Sequence, residues 1–120
     1  KKDTDIYIVN TYGKTKSFYN NCKNIFLGGS IIDHGGQNPL EATRFGCNIL
    51  HGPNINNFKE IYEFLKMNKI STVVRSQKQM KIAIDKLFNK KANTNTLKKK
   101  FNSIGQKILY KTYKEISFFL

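Results

Sequence analysis

The sequence predicts an α/β fold: an open parallel sheet with flanking helices, closed by two C-terminal helices. Three observations predict it. Short runs of apolar, β-type residues recur near 6–9, 24–27, 48–50 and 71–74. The stretches between them carry helical spacing, and after Val74 the pattern is helical only. Strands this short and apolar fit a parallel sheet covered by helices on both faces, and four of them make half of a doubly wound sheet. With 120 residues, 39% hydrophobic and 12% aromatic, the chain has the length of one domain and the apolar material for a core.

Taken in order, Asp5-Ile6-Tyr7-Ile8-Val9 reads as the first strand, and residues 14–22 as a helix with Phe18 and Tyr19 on one face. Residues 24–27 form the second strand, halted by Gly28-Gly29. Asn48-Ile49-Leu50 is the third and residues 71–74 the fourth. Between these two, Phe58, Ile61 and Leu65 repeat at helical spacing across 57–67. Met80, Ile84, Leu87 and Phe88 mark the first C-terminal helix, and residues 89–96 are a polar break. Leu97, Phe101, Ile104, Ile108 and Ile116 mark a second, longer helix, which Gly105 weakens by about 1 kcal/mol relative to Ala without ending it.

The formal net charge is +13, and it is unevenly spread. Residues 1–75 hold 10 basic and 6 acidic side chains, whereas 76–120 hold 11 Lys against Asp85 and Glu115. Such a basic third suits a phosphate backbone or an anionic membrane surface; the 14 Asn beside 19 Lys equally fit a compositional bias toward solvated side chains. The longest apolar runs, 25–27 and 116–120, fall far short of the roughly 20 residues that span a bilayer. Cys22 and Cys47 lack CxxC partners and nearby His ligands, which argues against zinc and leaves two reduced thiols or one disulfide. Because residue 1 is Lys and a strand-like run starts at once, the chain reads as a piece of a longer one.

The chemistry concentrates in residues 28–58. Here stand Gly28-Gly29-Ser30, then Asp33-His34-Gly35-Gly36-Gln37-Asn38-Pro39-Leu40-Glu41, then Gly46, His51-Gly52-Pro53 and Asn57-Phe58. In an open parallel sheet, ligands bind beyond the carboxyl ends of the strands, where glycine lets backbone approach a ligand closely. Asn38 reads as a helix N-cap with Pro39 at the first helical position and Glu41 three residues after the cap; Gly46 closes the helix. Two roles for Glu41 stay open. It can complete a capping box, or it can accept hydrogen bonds from sugar hydroxyls while first-turn amides attract a phosphate. His51 reads as a structural histidine, while His34 lies inside the glycine loop. Arg44 and Arg75 are phosphate-type side chains, with Arg44 on the outer side of its short helix.

The run Gly-Gly-Ser, His-Gly-Gly-x-Asn-Pro-Leu-Glu, Gly-Pro and Asn-Phe closely resembles the C-terminal domain of the Kdo transferases (3-deoxy-D-manno-octulosonic acid transferases). These are glycosyltransferases of the GT-B type, with two Rossmann-like domains. The resemblance spans 10–58 by motif and extends to 120 by helix pattern. It implies that residues 1–120 are a C-terminal nucleotide-sugar-binding domain, with the N-terminal acceptor-binding and catalytic domain and its membrane anchor outside this chain. The implied donor is CMP-Kdo and the acceptor a lipid A precursor, at the cytoplasmic face of a bacterial inner membrane, with association at the membrane surface. No metal or other cofactor is implied, no nucleic acid is expected as a partner, and the fragment alone is expected to be inactive.

By the same resemblance the donor nucleotide is held by Tyr12, Gly13, Lys14, Gly29, Ser30, Asn38, Pro39, Leu40 and Glu41, with His34, Gly35 and Gly36 as further candidates. No catalytic residue is implied within these residues. The sequence departs from the family pattern at Asn10 and Lys14, where the family has Asp and Glu, and at Gln37, Ala42 and Asn54, where it has His, Pro and His. Lys14 cannot accept a hydrogen bond as Glu does, but it offers a cation to the donor's phosphate or carboxylate. The competing readings are a related GT-B domain for another sugar nucleotide and a basic nucleic-acid-binding module. The second lacks any aromatic RNA-binding motif or zinc spacing.

Overall fold

In a computed structural model, which describes residues 4–89 and 94–118, three strands form one parallel sheet in the order β1 (Asn24–Leu27), β2 (Asn48–His51), β3 (Ser71–Val73). The register sets Ile25 beside Ile49 and Leu27 beside His51, then Ile49 beside Ser71 and His51 beside Val73. Five helices accompany them: α1 (Thr15–Asn21), α2 (Leu40–Arg44), α3 (Lys59–Met67, entered through a 3-10 turn at Asn56–Phe58), α4 (Gln77–Asn89) and α5 (Thr94–Ser117). The expected open parallel sheet and both C-terminal helices are present. Residues 90–93 of the expected polar break lie outside the described residues, and α5 already begins at Thr94.

One expected strand does not form. The run near 6–9 has the apolar composition of a strand, yet Ile6 and Ile8 are 80% and 84% exposed, and β1, not this run, is the first strand of the sheet. A β-run becomes a strand only when an edge satisfies its backbone, and within the described residues no ladder takes up 6–9. Cover on the sheet is also less even than expected. Strand alternation sends Ile25, Leu27, Ile49, His51 and Ser71 to one face and Phe26, Leu50 and Thr72 to the other. On that second face Leu50 is buried, but Phe26 and Thr72 stay exposed.

The core lies on the first face. Leu27, Ile49, Ala42, Cys47, Tyr62, Leu65 and Ile70 form one buried cluster, against which Tyr19, Phe45, Phe58, Leu97 and Phe101 pack. Helix α3 belongs there because Phe58, Ile61, Tyr62 and Leu65 share one stripe at helical spacing. Each fully buried apolar side chain contributes about 1.5–3 kcal/mol. Its C-terminus is closed by Lys69 N–H to Lys66 C=O at 2.9 Å and Ile70 N–H to Leu65 C=O at 2.9 Å, a Schellman pairing in which Lys69 takes the left-handed conformation at φ 58°. Ser76 starts α4, its Oγ accepting from Gln79 N–H at 3.2 Å while Gln79 Oε1 accepts from Arg75 N–H at 2.9 Å. Helix α5 docks by its first half only: Leu97 and Phe101 reach the core, and Lys100 Nζ donates to the Asn68 carbonyl at 2.6 Å. No described helix is long and apolar enough to cross a membrane.

Candidate functional site

Residues 28–39 leave the carboxyl end of β1, and residues 52–58 leave that of β2. The two segments are laced together. Ser30 Oγ donates to Leu27 C=O at 2.6 Å and accepts from Gly52 N–H at 2.8 Å, and Asn54 N–H donates to Ser30 C=O at 2.9 Å. Asn54 Nδ2 reaches Ile31 C=O at 2.9 Å. Further along, Gly36 N–H donates to Gly29 C=O at 3.0 Å and Asn57 N–H to Gly35 C=O at 3.1 Å, with the Asn57 side-chain amide 3.4 Å from His34 C=O.

From below, the core grips the same loop. Tyr62, buried on α3, packs its ring at a 42° tilt against that of His51, centroids 4.3 Å apart, and donates its hydroxyl to Gln37 C=O at 2.8 Å. Burial pushes the Tyr62 phenol up to about 12, so it remains a donor across the physiological range. His51 lies within hydrogen-bond distance of Gly52 C=O through Nδ1, at 2.7 Å; a carbonyl only accepts, so Nδ1 carries the proton. Burial lowers the His51 pKa, the Gly52 contact opposes that, and Arg75 and Lys66 add to the lowering. His51 is therefore a neutral structural histidine, as its position at a strand end suggested.

The loop delivers the chain into α2. Pro39 already has helical angles (φ −84°, ψ −10°), and Asn38 Oδ1 accepts from Leu40 N–H at 3.0 Å. That is an N-cap bond to the second helical residue, one residue earlier than the helix is assigned. At the other end Gly46 N–H bonds Thr43 C=O at 2.9 Å and Cys47 N–H bonds Ala42 C=O at 3.2 Å, the paired closure expected of Gly46. Of the two roles open to Glu41, the described contacts give it neither a bond back to Asn38 nor burial. Its carboxylate is 46% exposed and lies 4.0 Å from Lys16 Nζ on α1.

That ion pair is weak by itself, but it joins the second part of the site to the first. Tyr12, Gly13 and Lys14 lead into α1, whose N-cap is Lys14, and α1 packs on α2. Across the same contact the Tyr19 phenol is raised first by burial and then by the Glu41 carboxylate. The sequence-derived residues thus converge in two groups. Gly29, His34, Gly35, Gly36, Asn38, Pro39, Leu40 and Glu41 share the strand-end rim, and Tyr12, Gly13 and Lys14 stand at the mouth of the neighbouring helix.

Within this set the roles divide. Ser30, expected to line the crevice, is fully buried and both of its hydroxyl bonds go to the fold; it braces the loops. Pro39 and the two glycines of the 34–37 loop are buried as well. Tyr12, Lys14, His34, Asn38 and Glu41 keep solvent-accessible polar atoms. Sequence reasoning passed over Lys16 and Tyr62. Lys16 meets Glu41 only through packing of α1 on α2, and Tyr62 sits in an ordinary core stripe. Chemically, the rim offers a half-exposed carboxylate as hydrogen-bond acceptor, two lysines as cationic donors to an anion, and an exposed imidazole. The chemistry of such a set suits a polar anionic ligand.

No family model matches the chain. Among known proteins it is similar to the 3-deoxy-D-manno-octulosonic acid transferase of Haemophilus influenzae, 28% identical over 97 residues that cover 80% of this chain and 23% of that protein. The transferase of the same name from Rickettsia bellii is 30% identical over 111 residues, covering 88% of this chain and 26% of that protein. The chain thus spans about a quarter of the length of these relatives. Among solved structures, the C-terminal CMP-Kdo binding domain of WaaA from Acinetobacter baumannii superposes with a TM-score of 0.71 at 24% identity, over 86% of this chain and 54% of that one. The resemblance to the Kdo transferases carried by the motifs is borne out, and the fold is that of the C-terminal domain.

Proposed function

We propose that this chain is the donor-binding part of a Kdo transferase and that its strand-end rim holds CMP-Kdo. One observation carries the reading: the motif segment 34–41 is presented as a braced loop feeding a capped helix start, with the Glu41 carboxylate left half-exposed beside Lys16. In the proposed complex Glu41 accepts hydrogen bonds from the ribose hydroxyls, and the phosphate faces the start of α2 with Lys14 and Lys16 nearby. Tyr12 offers its ring and hydroxyl at the rim. His34 stands where the sugar or the phosphate enters.

The whole enzyme, on this reading, transfers Kdo from CMP-Kdo to a lipid A precursor in lipopolysaccharide biosynthesis, at the cytoplasmic face of the inner membrane. The groups that activate the acceptor belong to another domain, which leaves binding and orientation to this one. Calorimetric titration of the 120-residue chain with CMP, UDP and a single-stranded RNA tests the reading. CMP binding that exceeds UDP binding supports it. A preference for UDP assigns the rim to another sugar nucleotide, and RNA binding with a steep salt slope assigns the charge to nucleic acid. Kdo transfer by this chain alone would contradict the division of labour.

A further inference from the structure

Gly29 is the floor of a small polar patch at the carboxyl end of β1. It holds φ +66°, and an ideal Cβ built on it would stand 3.1 Å from His34 Cδ2 and 3.5 Å from Gln37 Nε2. Both side chains therefore lie against the same piece of backbone, over the space that a side chain at 29 would fill. The close approach that glycine permits is taken up by an imidazole and a carboxamide of the chain itself.

The backbone beneath this pair is fixed. His34 N–H donates to Ile32 C=O at 2.8 Å, Gln37 C=O accepts from the Tyr62 hydroxyl at 2.8 Å, and Gly36 N–H, between them, donates to Gly29 C=O at 3.0 Å. The polar ends of the side chains are not engaged. Both residues are exposed, and among the described residues neither the His34 ring nor the Gln37 carboxamide has a hydrogen-bond or ionic partner. Two polar groups laid side by side on a braced loop are preorganised for a ligand, because little ordering remains to be done when it arrives.

We propose that His34 and Gln37 act as paired hydrogen-bond donors to an oxyanion of the bound nucleotide sugar. The inference rests on the donor reading and adds Gln37 to the ligand-touching residues. An imidazole N–H and a carboxamide N–H both donate, and bonds to a charged oxygen are the stronger kind. Position selects this part of the ligand. Gln37 stands four residues before Glu41 in the chain, so with the ribose on Glu41 the groups that reach Gln37 are those beyond the ribose. In a nucleotide-linked sugar acid these carry two oxyanions, the phosphate and the sugar carboxylate.

Calorimetric titration of the unaltered chain, Gln37→Leu, Gln37→His and His34→Leu with cytidine, CMP and CMP-N-acetylneuraminate tests the proposal. Neither Leu substitution touches the backbone bonds named above, so melting curves should stay in place. Each should weaken binding of an anionic probe about tenfold, with cytidine binding unchanged, and Gln37→His, which keeps a donor, should bind as the unaltered chain does. A loss already seen with CMP identifies the phosphate as the oxyanion; a loss confined to CMP-N-acetylneuraminate identifies the sugar carboxylate. Undiminished affinity of both Leu variants for both anionic probes overturns the proposal. So does an equal loss for cytidine, since the loop and not a contact with an anion is then disturbed. If Glu41→Gln weakens CMP binding while both Leu variants bind both anionic probes normally, this inference falls and the donor reading stands; no CMP binding by the unaltered chain removes both.

Discussion

The two parts of the candidate site are built in opposite ways. At the strand ends, backbone meets backbone: an ideal Cβ on Gly52 would stand 2.1 Å from the Ser30 carbonyl oxygen and 2.7 Å from Ile31 N. At the entrance to α1, Gly13 holds φ +81° with nothing within 4 Å of such a Cβ, and Tyr12 beside it is fully exposed. One region is braced by the fold and the other is only aimed by it. The contrast separates residues that shape the rim from residues free to touch a ligand.

Gly52→Ala strikes the braced region hardest. The obstacle is backbone and cannot rotate away, so either the loops part or the strand ends move, at an expected cost of about 3 kcal/mol or more. Chemical denaturation of the variant checks it, and a loss under about 1 kcal/mol would mean the loops are looser than described. Tyr62→Phe is milder. It keeps the ring against His51 but removes the donor to Gln37 C=O, for an expected loss of about 1–2 kcal/mol and faster amide exchange across residues 34–37. Gly13→Ala should cost about 1 kcal/mol from its left-handed backbone alone, with no effect on exchange in that loop.

A pH titration probes the braced side without mutation. His51 has a folded pKa below its ordinary 6.5, chiefly through burial. Below about pH 6.5 the unfolded chain therefore binds the extra proton first, and stability falls with falling pH until the folded pKa is passed. Above 6.5 this contribution is complete and flat. Melting temperatures between pH 5 and 8 should show the slope, and His51→Asn should flatten it.

Much of this was legible in the sequence, for identifiable reasons. The runs at 24–27, 48–50 and 71–74 announce the three strands to within a residue because short apolar runs end at glycine or polar residues, and Asn38-Pro39 and Gly46 mark both ends of α2 by chemistry that acts within five residues. The run at 6–9 misled because composition reports the wish for a partner and not its presence. Ser30, which the resemblance places at the donor crevice, spends its hydroxyl on Leu27 C=O and Gly52 N–H, contacts that arise only once the loop from β2 is laid over it. Lys16 and Tyr62 left no local mark, since their contacts with Glu41 and Gln37 are 25 residues away in the chain and arise only when α1 and α3 dock.

The account rests on Glu41 serving a ligand and not only its own helix, and one substitution tests that. Glu41→Gln removes a half-exposed charge and a weak contact with Lys16, so thermal stability should shift by well under about 1 kcal/mol. CMP affinity, measured by calorimetry on the same samples, should fall about tenfold or more, since a hydrogen bond to a charged group is worth about 1.5–3 kcal/mol. An unchanged melting curve with tenfold weaker CMP binding is the predicted result; unchanged CMP affinity would contradict the ribose-holding role of Glu41 and the site built around it.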